Sequence, residues 1–453
     1  VPTPSSTLTV LSQQRVAAEA PQKLTIRCAL TDVFVRDVQV SVVFFYEHKL
    51  DTTALTRGLA RVLGDFAPFN ARLRHRNGER FIECGDTGAR FSIARSDSTL
   101  TATLADLDDR ARLDLVDVID ARRCWSGDPV LAIRVTQFAD GHSALGVSWH
   151  HTAGDLNSVM SLMKAWSRAV TGLNYEKPLL VEDRDDYLNR TLLAADGVLP
   201  NLRYLKVTEL LKLAAYILTK GRDKRRITLH FDPDELEHMR GTLQSDSGQR
   251  LSINDAVSAH VCSVLSSRDI KARDRRLSIA VDYRRRAGLP ENVIGNMVTS
   301  VEVACEHGKP VAKLAADLRS GVDNFTAKYL NHHANLRYVQ SHGGVAKITR
   351  FIPTAIDPFS GSLLVSNWSG AGIYDIDFGV AGPSHFVAAG SGPLPWLGVM
   401  HEGFRNRGLI VELELPRAVA ARMLDEAGIR EIHRYRSSPA RLPDAESNPA
   451  WLS

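Results

Sequence analysis

Stretches with the two-residue period of a strand and stretches with the period of an amphipathic helix alternate along this chain, which restricts it to the mixed α/β class. VSVVFFYEHK (40–49) reads as a strand, and DTTALTRGLARVLGDF (51–66) reads as a helix with Asp51 as its cap. The pattern recurs as LAIRVTQF (131–138), a turn at 139–142, SALGVSWHH (143–151) and a helix over about 155–170, on which Val159, Leu162, Met163, Trp166 and Ala169 share a face. It returns in ITLHF (227–231), a helix from Asp232, and LSINDAVSAHVCSVLSS (251–267) behind Ser252 and Asn254 as candidate caps.

At 453 residues the chain exceeds what one hydrophobic core serves, so two domains are expected, over 1–185 and 227–453. The stretch between them, 186–226, is charged and loop-like. It holds an amphipathic helical segment at 202–218 and a basic run of Lys220, Arg222, Lys224, Arg225 and Arg226. Lys plus Arg exceed Asp plus Glu by only 56 to 52, and the excess is scattered, so no nucleic-acid partner is expected. No apolar run reaches the roughly eighteen residues of a membrane span, so no membrane partner is expected either. The five cysteines, Cys28, Cys84, Cys124, Cys262 and Cys305, are odd in number and far apart, with no metal-ligand spacing. Free thiols, a cytoplasmic location and no bound metal follow as expectations.

Three segments carry chemistry. WHHTAGD (149–155) ends a strand and opens a helix, and contains His151 and Asp155 in HxxxD spacing. A histidine at a strand end can take a proton from an alcohol near neutral pH, and Asp155 is placed to cap the following helix. VSNWSGAGIYDIDFGVAGP (365–383) is rich in Gly and aromatic residues around Asp377, Phe378 and Gly379. DFG also occurs in protein kinases, but none of the other kinase motifs accompanies it here. AVDYRRRAGLPENVIGN (280–296) reads as a strand whose Asp282, Arg284 and Arg286 alternate onto one face.

In this order and spacing the motifs resemble the BAHD family of acyl-CoA-dependent acyltransferases, whose hallmarks are HxxxD and a later DFGWG. The likeness extends to Leu30–Asp32 (LTD), FAPFNARL (66–73), IECGDTGARF (82–91) and GLIVELELPRAVAARML (408–424). Val380 and Ala381 replace the family's Trp and Gly, and Leu156 follows HxxxD where Gly is usual. These departures suggest a divergent branch, microbial or fungal-like.

The resemblance implies a chloramphenicol acetyltransferase-like fold: two similar domains, each a mixed sheet flanked by helices, with the active-site channel between them. It implies a monomer that moves an acyl group from acyl-CoA, a co-substrate and not a resident cofactor, to a hydroxyl or amine of a small-molecule acceptor. His151 is then the general base, and Ser366 and Trp368 of VSNW are candidates to hold the oxyanion. Asp155 would face away from the channel and pair with Arg284, and Asp377 and Gly379 would support the site from a distance. Ser252 and Lys224 are the candidate coenzyme contacts. The double histidine also matches the HHxxxD of peptide-synthetase condensation domains, which share the fold and take their thioester from a carrier protein.

Overall fold

The computed structural model describes residues 8–437 except 195, 270–273, 326–329, 360 and 391. Two six-stranded mixed sheets organise it. The first runs, edge to edge, Leu8–Val16, Ala89–Ser96, Leu131–Gln137, Ser143–His150, Gln39–Tyr46 and His385–Ala389. The second runs Lys224–Phe231, Leu409–Pro416, Leu397–Glu402, Ser362–Asn367, Asp274–Asp282 and Val298–Glu306.

Ser143–His150 is buried at every residue, because both faces of its sheet are covered. Leu145, Val147 and Trp149 point into one core with the helices Thr52–Leu63 and Leu156–Val170, while Ala144 points into a smaller core with Val43, Phe45, Leu115 and Val116. The smaller core lies close to the backbone: a Cβ on Gly146 would stand 2.2 Å from the Leu115 carbonyl oxygen. The second sheet is covered by Pro233–Ser247, Ile253–Arg268 and Val311–Asp323, which pack on one another around Met239, Cys262 and Leu318.

Among the described residues one strand of the two large sheets departs from chain order. His385–Ala389, from the second half, pairs antiparallel with Gln39–Tyr46 and closes an edge of the first sheet. Arg112 of the first half and Arg226 of the second both donate to the Ala388 carbonyl and to Glu412, Arg112 and Glu412 being buried. Burial opposes ionisation of Glu412, but Arg112 and Arg226 outweigh it and hold its pKa below the usual carboxylate value.

Two expectations about the middle of the chain are corrected. The helix expected over 202–218 is a short strand, Leu202–Tyr204, followed by the helix Val207–Thr219. Leu202–Tyr204 finds a partner in Phe351–Pro353, far away in sequence, which no local pattern could signal. The basic run does not stay in a loop either: Lys224, Arg225 and Arg226 open the strand Lys224–Phe231, opposite the acidic Glu412 and Glu414 of Leu409–Pro416. Among the described residues no helix is long and apolar enough to cross a membrane.

The close approach at Gly146 makes a test of the first sheet's packing. Gly146→Ala is expected to destabilise the protein by ~1–3 kcal/mol, the usual range for overpacking, read as a lower midpoint in thermal or denaturant unfolding.

Candidate active site

Between the buried strand Ser143–His150 and the helix Leu156–Val170 lies a turn, 151–154, whose backbone groups are tied from several sides. His151 N–H donates to Val38 O (3.0 Å), Thr152 N–H to His150 Nδ1 (3.1 Å) and Ala153 N–H to His150 O (2.9 Å). Arg184, fully buried, donates to the Thr152 and Ala153 carbonyls, and the Trp149 indole donates to the Gly154 carbonyl. Few alternative conformations remain to the turn once these groups are paired.

The two histidines differ in environment. His150 is buried; its Nδ1 accepts from Thr152, so Nε2 carries the proton and donates to Ala121 O (3.2 Å). Burial lowers its pKa to about 4, which leaves it neutral at ordinary pH. His151 is half-buried and lines a cavity of about 460 Å³ shared by both halves of the chain. Its Nδ1 lies 2.8 Å from Asn296 Oδ1. The Asn296 amide nitrogen donates to Asp32 Oδ1 (2.7 Å) and to the His151 carbonyl (2.9 Å), so its oxygen is the atom facing the imidazole. That oxygen can only accept. Nδ1 therefore carries the proton, and Nε2 is left as the basic nitrogen, with no hydrogen-bond partner among the described residues.

Asp155 caps the helix through Ser158 N–H (3.0 Å) and is turned onto Arg284 in a two-pronged pair, Nη1 to Oδ2 (2.9 Å) and Nη2 to Oδ1 (3.0 Å). Met297 N–H also donates to it (3.0 Å), and its own N–H donates to Gly295 O (3.3 Å). Burial disfavours the Asp155 carboxylate, but Arg284 and these hydrogen bonds prevail and lower its pKa. Arg284 does not reach Asp155 from an alternating strand face, as its spacing suggested. The strand ends at Asp282, and Arg284 begins a tight turn that is stapled by its own bond to Asp282. Arg286 leaves the site and donates to Val322 O.

Across the cavity, Ser362–Asn367 runs between two parallel neighbours and delivers Ser366 and Trp368 to the wall. The two are not independent donors: the Trp368 indole N–H donates to Ser366 Oγ at 2.9 Å. That bond leaves the Ser366 O–H as the group of this pair free to donate.

The DFG segment meets the same helix at its other end. Asp377 accepts from Ser167 Oγ (2.9 Å), Phe378 N–H donates to that hydroxyl (3.0 Å), and the Phe378 ring packs edge-on against Trp166 at 4.8 Å. Gly379 has φ +83°, and a Cβ there would stand 3.1 Å from Thr171 Cγ2. Val380 packs on the first core, and Ala381 is exposed.

Neither expected coenzyme contact lines the cavity. Ser252 Oγ closes a capping box with Asp255, and the Lys224 ammonium is held by Glu414 and the Gly392 carbonyl. Sequence reasoning missed Asn296, Arg184 and His332. His332 is a second histidine of the cavity wall, and burial beside His333 lowers its pKa to about 4. Asn296 ended a segment already singled out for its arginines, but an asparagine carries no charge pattern to mark it.

A model of the transferase family matches residues 6–419. The chain belongs to that family, the BAHD acyl-CoA-dependent acyltransferases. It is 25% identical over 429 residues to a hydroxycinnamoyl-CoA:5-hydroxyanthranilate N-hydroxycinnamoyltransferase of Avena sativa, covering 88% of this chain and 94% of the relative. In fold it is similar to TRI101 of F. graminearum, solved with coenzyme A and T-2 mycotoxin, at a TM-score of 0.73 and 15% identity over 90% of this chain and 98% of that one. A condensation domain from the Monacolin K polyketide synthase MokA matches less well, at a TM-score of 0.59 and 12% identity over 92% and 98% of the two chains.

Three outcomes test this arrangement. Asn296→Ala is expected to keep most of the thermal stability and to lower kcat by about tenfold or more, because the His151 tautomer is no longer held. Parent-like turnover would remove Asn296 from the site. Asp155→Ala and Arg284→Ala should each cost ~3–5 kcal/mol, with the double variant less destabilised than their sum. The folded pKa of Asp155 lies below its unfolded value, so the pair's contribution is present above the ordinary Asp range near ~3.9 and is lost as pH falls through the folded pKa. Acid unfolding of Asp155→Asn should lack that component.

Proposed function

We propose that this BAHD acyltransferase uses His151 Nε2 as its general base. In this reading residues 1–185 supply the base, residues 227–453 supply the oxyanion donor, and the acyl group and acceptor meet in the cavity between them. The observation that carries it is the Asn296 contact, which commits Nδ1 and leaves Nε2 to the cavity that His151 lines.

The acceptor hydroxyl or amine gives its proton to Nε2 as its lone pair attacks the thioester carbon. The carbonyl oxygen becomes negative and is held by the Ser366 O–H, which the Trp368 indole orients. Collapse of the tetrahedral adduct breaks the carbon–sulfur bond. The proton on Nε2 then passes to the departing coenzyme A thiolate, so the imidazole returns to its starting state. No covalent acyl-enzyme is required. Asp155 and Arg284 act as positioning residues. Lys224 and Ser252 are bonded within the chain and are given no step in this reading.

Purified protein should convert acyl-CoA donors, with coenzyme A release followed by a thiol reagent, and should not turn over the matching acyl-carrier-protein thioester. The opposite preference would favour the condensation-type reading. His151→Ala should lose ~10²–10⁴ in turnover with an unchanged melting midpoint, and near-parent activity would overturn the base assignment. Ser366→Ala should lower kcat with donor KM little changed, and Trp368→Phe should lose less, since it removes the orienting bond and not the donor. A change confined to KM in Ser366→Ala would make Ser366 a binding residue.

A further inference from the structure

The helix Val207–Thr219 has no buried residue along its 13 positions, although its sequence is largely apolar. Val207, Leu211, Ala214, Ala215 and Leu218 are all exposed, and Val207, Leu211 and Leu218 are 54%, 66% and 59% exposed. At helical spacing these five fall within an arc of about 100°, a continuous apolar stripe turned to solvent. Phe359, 48% exposed, extends the patch through its edge contact with Tyr216.

Charge is arranged around the stripe and not on it. Lys206 and Lys212 flank it on opposite sides, and Lys220 and Arg222 follow its C-terminal end; none of the four makes an ion pair with a described residue. The acids of this region are already neutralised: Arg203 holds both Glu209 and Asp357, and Arg417 faces Asp223. An apolar face rimmed by lysines suits a surface that is hydrocarbon within and anionic outside. We infer that this helix lies in the headgroup region of an anionic lipid bilayer as a peripheral docking element.

The patch is coupled to the cavity. Leu202–Tyr204, just before the helix, pairs with Phe351–Pro353, and Leu202, Pro353, Ala355 and Ile356 line the cavity wall. The Arg203 bridge to Glu209 and Asp357 ties helix and wall together, so docking would bring this side of the cavity towards the lipid surface. The absence of a spanning segment, on which no membrane partner was expected, does not bear on an in-plane helix.

The test is co-sedimentation of the full chain with phosphatidylcholine vesicles, with and without phosphatidylserine, beside light scattering of the protein alone. The parent should pellet with the phosphatidylserine vesicles and be released by salt. Leu211→Glu/Leu218→Glu should lower partitioning at least about tenfold, and Lys206→Gln/Lys212→Gln should lower it and flatten the salt dependence. Both should keep the parent's melting midpoint and its coenzyme A release with water-soluble substrates, so that failure of docking is separable from failure of the enzyme. Absence of parent binding, binding undiminished by the Leu variants, or a parent oligomer that those variants dissociate would each overturn the inference, the last by assigning the stripe to a second copy of the chain.

Discussion

Asp155 and Arg284 are each about 2% exposed, and a carboxylate at that depth keeps its charge only against a partner such as this guanidinium. Their groups are saturated. Asp155 takes Arg284, Ser158 and the Met297 amide, while Arg284 also reaches Asp282 and the carbonyls of Val293 and Gly295. The pair therefore does three things at once. It caps the helix that follows His151, closes the turn that holds His151, and fixes the segment 293–297 of the other half. Asn296 lies between Gly295 and Met297, so the amide that sets the His151 tautomer takes its position from this ion pair.

A carboxylate at His151 Nδ1 would hold the same tautomer, but it would also stabilise the imidazolium, which cannot accept a proton. Asn296 supplies the direction without the charge. The carboxylate to which Asn296 donates, Asp32, is also occupied by Arg184 (3.1 Å) and by the Ala29 amide (2.9 Å). Two buried Asp–Arg pairs thus frame the turn, and a neutral amide stands between them and the imidazole. The reading of His151 as base depends on that neutrality more than on any one distance.

What could be read in the sequence were the features written locally. The strand ending in WHHTAGD, the Asp51, Asp155 and Ser252 caps and the alternation of elements follow from short-range rules, and each has its counterpart in the structure. What escaped depends on contacts between distant segments. Asn296 matters only because it lies against His151, 145 residues away. Lys224 looked like a free cation because its partner Glu414 is 190 residues downstream, on a strand that pairs with its own. His385–Ala389 joins the first sheet although the chain around it belongs to the second, since Gln39–Tyr46 offers it an open edge.

The departure from DFGWG becomes intelligible from where the segment acts. Leu156–Val170 spans roughly 22 Å at helical rise, with Asp155 held by Arg284 at one end and Ser167 held by Asp377 at the other. Both holding residues come from the second half of the chain, so the helix behind His151 is anchored twice across the same divide. The far anchor needs the Asp377 carboxylate, the Phe378 ring against Trp166 and a residue that accepts positive φ at Gly379. It does not need the next two side chains for any of these contacts. Val380 fills part of the first core and Ala381 points to solvent, so the clamp on the helix survives the loss of the usual Trp-Gly pair.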